Sequence, residues 1–160
     1  MSEYAQQRLG FRLLQWGLHR YWRVTRGLTL GVRGVVLDGE GRVFLIRHTY
    51  VPGWHLPGGG VEAGETALEA LRRELLEEAC IEIAGPPELV GVFFNAKVSQ
   101  RDHVLVYAIR DFTVAGPKQP DREIAEAGFF PLDRLPEGTT EATRRRLAEI
   151  VSGHPVTESW

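Results

Sequence analysis

The chain is predicted to be an α/β protein, a mixed β-sheet held between helices in an α/β/α sandwich, with an additional helix at the N-terminus. Three observations carry that prediction. The apolar period changes from helical to alternating near Leu28; short β-branched runs separated by glycine and proline follow; and one amphipathic helical stretch, Glu65 to Cys80, interrupts them. At 160 residues the chain suits one main domain. It divides into an N-terminal amphipathic segment over 1–26, the domain over 27–153 and a tail over 154–160. The net charge of −2 exerts no general pull on nucleic acid, and no apolar run is long enough to span a membrane. A lone cysteine, Cys80, excludes an internal disulfide framework. The opening MSEYAQQRLGFR lacks the apolar core and cleavage site of a secretory signal, so a cytoplasmic setting is expected.

Ser2 to about Arg26 read as a basic, aromatic-rich helix. Leu9, Leu13 and Trp16 recur along one row and Phe11, Leu14, Leu18 and Trp22 along a second, giving a wide apolar face. Five arginines stand against one glutamate in this segment. Packing on the domain, or on a second copy as the arm of a homodimer, is the expected use. Attachment to a lipid surface is the second reading.

LTLGVRGVVLD and RVFLIRHTY are separated by the turn-forming DGEG, which predicts an antiparallel hairpin. Arg47 and His48 end its second strand near a glycine cluster, where they could meet an anionic substrate. The cluster, within VPGWHLPGGG, lets backbone approach a ligand closely because no Cβ intervenes. Trp54 could stack on a base or ring, but a tryptophan beside a tight turn more often serves packing.

The following helix has a buried stripe of Ala67, Leu68, Leu71, Leu75 and Ala79. Glu74, Glu77 and Glu78 lie at i, i+3 and i+4 and project from one face in its last turns. Like charges at this spacing repel and oppose the helix macrodipole, so a positive group is expected beside them. Carboxylates with backbone carbonyls form an oxygen-only donor set that suits Mg2+ or Mn2+ better than zinc. Glu65 and Arg73 are placed to tie the loop to the helix.

Beyond the GPP break, ELVGVFFNAKV and HVLVYAIRDFTV read as paired strands joined by SQRD. Asn95, Lys97, Arg101, Asp102 and His103 lie near that turn, within potential reach of a substrate. AGPKQPDREIAEAG reads as a loop that carries Glu123 and Glu126 up to an apolar GFFPL strand. A last helix is expected after Thr139 or Thr140 as N-cap, with Gly153 as its stop.

The spaced residues Gly59, Glu65, Arg73, Glu74, Leu75, Glu77, Glu78 and Ile81 resemble the signature of the Nudix hydrolases, which cleave nucleoside diphosphates linked to another moiety. One position departs: Cys80 stands where the family has glycine. The lead-in WHLPGG and the later AGFFPLDRLP also look like the family's arrangement. The resemblance implies that 27–153 is a Nudix-like hydrolase domain requiring Mg2+ or Mn2+. Glu74, Glu77 and Glu78 would be metal ligands, the Gly58 carbonyl would add a backbone oxygen, and Gly59, Glu65 and Arg73 would be structural. One of the glutamates, or Glu123 ahead of Glu126 on the later loop, would orient or deprotonate the attacking water. Arg47, Trp54, Asn95 and Arg101 are the candidate substrate contacts.

The implied activity is pyrophosphohydrolysis of a nucleotide sugar, an ADP-ribose-like compound or a dinucleotide. A triphosphate pyrophosphatase that sanitises oxidised nucleotides is the alternative, and a non-catalytic nucleotide-binding module is the alternative of another class. Ala96, Lys97 and Val98 occupy the region where many relatives carry a proline or tyrosine tied to substrate, so no substrate signature is legible there. The expected partner is a small nucleotide, with neither nucleic acid nor membrane.

Overall fold

The computed structural model describes residues 27–153 and 156–160, so the helix expected over Ser2 to Arg26 and its homodimer contact lie outside the described residues. Eight strands follow in order: β1 (Thr29–Val36), β2 (Arg42–His48), β3 (Trp54–His55), β4 (Ile81–Ile83), β5 (Glu88–Phe94), β6 (Asp102–Ile109), β7 (Phe112–Val114) and β8 (Ile124–Pro131). Helix α1 (Ala67–Ala79) lies between β3 and β4, and α2 (Glu141–Ser152) follows β8.

One sheet has the order β1-β6-β5 and the other β3-β2-β8, with β4 and β7 as a separate pair. β1 runs parallel to β6 from Thr29 opposite Asp102 to Val36 opposite Ile109. β5 and β6 pair antiparallel, as SQRD predicts. The hairpin expected from DGEG does not form: β1 and β2 belong to different sheets, and the backbone pairing beside the turn is limited to an isolated Leu37–Val43 bridge and the Asp38 amide donating to the Arg42 carbonyl. The reason is burial on both faces. Val35 and Val36 in β1, and Val43 through Ile46 in β2, are all buried, which suits strands covered on both sides rather than one half-exposed ribbon. Asp38 turns the chain between sheets, its carboxylate accepting from the amides of Glu40 and Arg42 at 2.9 Å each.

The two layers of the core lie on opposite sides. Val32, Val36, Phe44, Ile46, Leu71 and Leu75 unite β1, β2 and α1; Val35, Leu45, Leu56, Phe93, Val106 and Leu147 unite the sheets with α2. Thr140 caps α2 by accepting from the Thr143 amide, and Gly153 ends it in the left-handed region. The tail is bound rather than loose where described. The Phe94 amide donates to the Glu158 carbonyl at 2.8 Å and the Trp160 amide to the Phe94 carbonyl at 3.0 Å. Beneath it, the fully buried Arg146 donates to Glu149 at 2.9 Å and lies 3.9 Å over the Phe93 ring.

Candidate active site

Helix α1 is fixed at both ends. Thr66 and Glu69 form a reciprocal capping box, which satisfies two of the free amides of the first turn. At the other end Cys80 adopts φ 55° and ψ 36°, the only left-handed residue other than glycine among the described residues. Its amide donates back to Leu75 and Leu76. The terminus therefore keeps the geometry that glycine ordinarily supplies, with the cysteine side chain accepting the backbone cost.

The glycine loop is stitched to the edge of β1: the Gly34 amide donates to the Pro57 carbonyl and the Val32 amide to the Gly59 carbonyl, both at 2.9 Å. Gly58 has φ 135°, and a Cβ there would sit 2.1 Å from the Val32 carbonyl oxygen. A Cβ on Gly59 would lie 2.3 Å from Glu74 Oε1. Close approach to backbone thus requires glycine at 58, whereas a side chain at 59 would displace the Glu74 carboxylate.

This approach brings the Gly58 amide to Glu78, where it donates to Oε2 at 2.7 Å. Glu78 is only 7% exposed. Burial pushes its carboxyl up to about 7, with the charges of Glu74 and Glu123 adding to the rise; the Gly58 amide and Arg33 work against it. Arg73 holds the other two box carboxylates, donating to Glu74 at 2.7 Å and lying 3.6 Å from Glu77. The same guanidinium donates to Glu65 at 2.9 Å and to the Gly60 carbonyl at 3.1 Å, tying loop to helix. Glu65, then Glu74, raises the Arg73 pKa further above its ordinary value.

Glu123 lies in the segment before β8. Its carbonyl accepts from the Thr49 amide at 2.9 Å. Its carboxylate charge is felt at both Glu78 and Tyr50. His48 closes this side, its Nε2 3.9 Å from Glu78 Oε1 and its side chain 8% exposed. Burial, then the Arg33 charge, favours neutral imidazole. Beside it opens a cleft of about 390 Å³ lined by Arg47, His48, Thr49, Tyr50, Pro52 and Gly53.

The substrate candidates fare differently. Arg47 is exposed, pairs with Glu126 at 2.9 Å and lies 5.9 Å over the Trp54 ring. Trp54 itself is 9% exposed and packs edge-on against Phe130. Asn95 is buried and donates to Asp102 at 2.7 Å; Arg101 lies in the same β5–β6 turn, where its carbonyl accepts from Thr29. These contacts organise the turn. Glu126 lies within β8 opposite Arg47, not on a loop.

One residue of the site escapes the sequence reading. Arg33 donates from Nη1 to the Gly58 carbonyl and, at 3.4 Å, to that of Leu56. Burial lowers its pKa, while Glu78 and then Glu74 oppose that effect. It supplies the positive charge expected beside the box, and it engages the carbonyl expected to bind metal. The available signal was an arginine in the middle of the apolar run TLGVRGVV.

Among the described residues, no three His, Cys, Asp or Glu side chains are gathered closely enough to hold a cation as they stand. Arg73 engages Glu74 and Glu77, and the Gly58 amide engages Glu78. The donors nevertheless fit a hard divalent ion. They are carboxylate oxygens, and burial, with the charges of Glu74 and Glu123 adding to it, favours protonation of Glu78, a cost that a cation beside it relieves.

The NUDIX domain model matches residues 27–150, and the chain belongs to that family. The family match and the relatives named below as diphosphatase and pyrophosphatase make this chain a hydrolase of phosphoanhydride bonds. Nudix hydrolases generally use divalent metals such as Mg2+. The chain is 36% identical over 126 residues to a putative 8-oxo-dGTP diphosphatase of Bacillus subtilis (strain 168), covering 78% of this chain and 81% of that protein. It is 31% identical over 105 residues to an ADP-ribose pyrophosphatase of Methanocaldococcus jannaschii, covering 64% of this chain and 62% of that one. A MutT NUDIX hydrolase from Burkholderia pseudomallei superposes with a TM-score of 0.66 at 29% identity, covering 77% of this chain and 98% of that one.

Proposed function

We propose that this chain is a Mg2+- or Mn2+-dependent pyrophosphohydrolase that splits a nucleoside diphosphate linked to another moiety, by attack of water on phosphorus. The observation that carries the reading is Glu78, buried on the Gly58 amide and coupled in charge to Glu74 and Glu123. Glu74, Glu77 and Glu78 would hold the divalent ion. The bound ion supplies neutralisation of phosphate charge and activation of water. Arg73 and Glu65 fix the helix face against the loop, so the carboxylates meet substrate with little rearrangement of the backbone. The Gly58 amide holds one oxygen of Glu78 and leaves the other directed toward His48. Glu123 is the proposed base for the attacking water. The cleft beside His48 is the proposed seat of the remainder of the substrate, with Arg47 at its rim.

A second reading, pyrophosphohydrolysis of an oxidised nucleoside triphosphate, is supported by the similarity to the Bacillus subtilis protein. One experiment tests the reaction and separates the substrates. Purified protein with Mg2+ or Mn2+ is offered nucleoside triphosphates, nucleotide sugars, ADP-ribose and dinucleotides, and the products are identified. Nucleoside monophosphate released only with metal, abolished by EDTA and by Glu77→Gln, is the expected result. Full turnover in chelator, or in Glu77→Gln, overturns the metal-site reading.

A further inference from the structure

The segment between β7 and β8 is anchored to α1 by a side chain that the reaction described above does not use. The Lys118 side chain is 12% exposed. Its Nζ donates to the Glu77 backbone carbonyl at 2.7 Å and pairs with Asp121 Oδ2. The other Asp121 oxygen, Oδ1, accepts from the amides of Glu123 and Ile124, each at 2.8 Å. The Asp121 amide in turn donates to the Ile124 carbonyl at 2.9 Å. A continuous chain of contacts therefore leads from the helix turn bearing Glu77 through Lys118 and Asp121 to the backbone of Glu123.

The chemistry at each end suits this role. The last four carbonyls of a helix have no intrahelical donor, and a cation is favoured at this negative end of the macrodipole. The last turn of α1 has no basic residue of its own, so Lys118 supplies that charge from the facing loop. A carboxylate accepting two backbone amides and an ammonium is a strong, directional staple. On its far side the same loop is fastened to the residue that follows β2: Thr49 donates from its amide to the Glu123 carbonyl and from its hydroxyl to the Arg122 carbonyl.

We propose that Lys118 and Asp121 are positioning residues that set the Glu123 carboxylate against the box glutamates, coupling a base-bearing loop to the C-terminal turn of α1. The proposal rests on the assignment of Glu123 to the reaction. The Lys118 ammonium is held by the Glu77 carbonyl and Asp121, and it acts on Glu123 through Asp121 and the Glu123 backbone. Its consequence is a defect in the chemical step with little change in substrate affinity, because the carboxylate is displaced while the phosphate-binding residues stay in place.

The test uses the full chain and the variants Lys118→Met, Lys118→Arg and Asp121→Asn. Amide hydrogen exchange is read at Glu123 and Ile124 without metal or substrate. Steady-state kinetics with the turned-over nucleotide are read beside it. Lys118→Met should speed exchange at these two amides by about tenfold while leaving the α1 amides protected. It should lower kcat by roughly tenfold to a hundredfold with KM within about threefold. Lys118→Arg, which keeps the cation, should recover most of both, and Asp121→Asn should resemble Lys118→Met. Unchanged exchange at Glu123 and Ile124 overturns the proposal, as does a raised KM at constant kcat or an arginine variant as impaired as the methionine one. Retained activity in Glu77→Gln bears on the metal site alone, and the exchange measurement stands apart from it.

Discussion

The Gly58 amide donates to the Glu78 carboxylate at 2.7 Å, joining the residue just before the box to a carboxylate twenty positions further on. That bond exists because Gly58 adopts φ 135° and lies too close to the Val32 carbonyl for any Cβ. Gly58→Ala should therefore destabilise the fold by more than about 3 kcal/mol. Gly59→Ala meets only the end of the Glu74 side chain, so it should cost less stability and act chiefly on the carboxylate site. Urea unfolding and a Mn2+ binding isotherm on both variants check this; equal stability losses contradict it.

Cys80 occupies a left-handed conformation at φ 55°. Cys80→Gly should stabilise the protein by up to about 1 kcal/mol, and Cys80→Val should destabilise it by more than that, because a β-branched residue is less tolerant of positive φ. Chemical denaturation of the three proteins decides it. A glycine variant clearly weaker than the parent would mean that the thiol makes a stabilising contact larger than the backbone gain.

Arg146 and Glu149 form a buried pair under the tail. Arg146→Met leaves the carboxylate buried with only Thr157 as partner, and should cost about 3–5 kcal/mol. The double variant Arg146→Met with Glu149→Leu should regain a large part of that loss. A double variant as unstable as the single one would assign the effect to lost packing on Phe93 and not to the stranded charge.

Asp121 is held well below the usual carboxylate range, first by the Ile124 amide, then by the Lys118 ammonium and the Glu123 amide. A depressed pKa in the fold means that its stabilisation is complete above the unfolded value near about 4 and is lost as pH falls through the folded value. Asp121→Asn should thus be less stable than the parent near neutral pH, with the gap narrowing below about pH 4. Unfolding midpoints that differ by the same amount at both ends of that range would exclude the linkage.

The sequence disclosed what lies along single elements. Glu74, Glu77 and Glu78 share a helix face by spacing alone, and Thr140 and Gly153 sit at helix ends for local reasons. Relationships across the chain were not legible in the same way. The DGEG turn reads as a hairpin because local chemistry marks a reversal but not which sheet receives the strand; burial on both faces of β1 and β2 decides that. Arg33 reaches the Gly58 carbonyl only because the glycine loop lies along β1, a pairing that no local pattern announces. Trp54 stands beside a turn, yet Phe130 from β8 covers it. Its role follows from β8 pairing with β2, a contact distant in sequence.

The stitching of the glycine loop to β1 also bears on how the box could be transferred to another scaffold. Its residues are contiguous in sequence, but the Pro57 and Gly59 carbonyls are held by Gly34 and Val32, and the Gly58 carbonyl by Arg33. β1 is in turn aligned by its parallel partner β6, whose Asp102 stands opposite Thr29. A peptide or graft spanning only Gly59 to Ile81 would carry every acidic side chain of the box and none of the backbone donors that shape the loop before it. The smallest portable unit is the box together with β1 and the strand that keeps β1 in register.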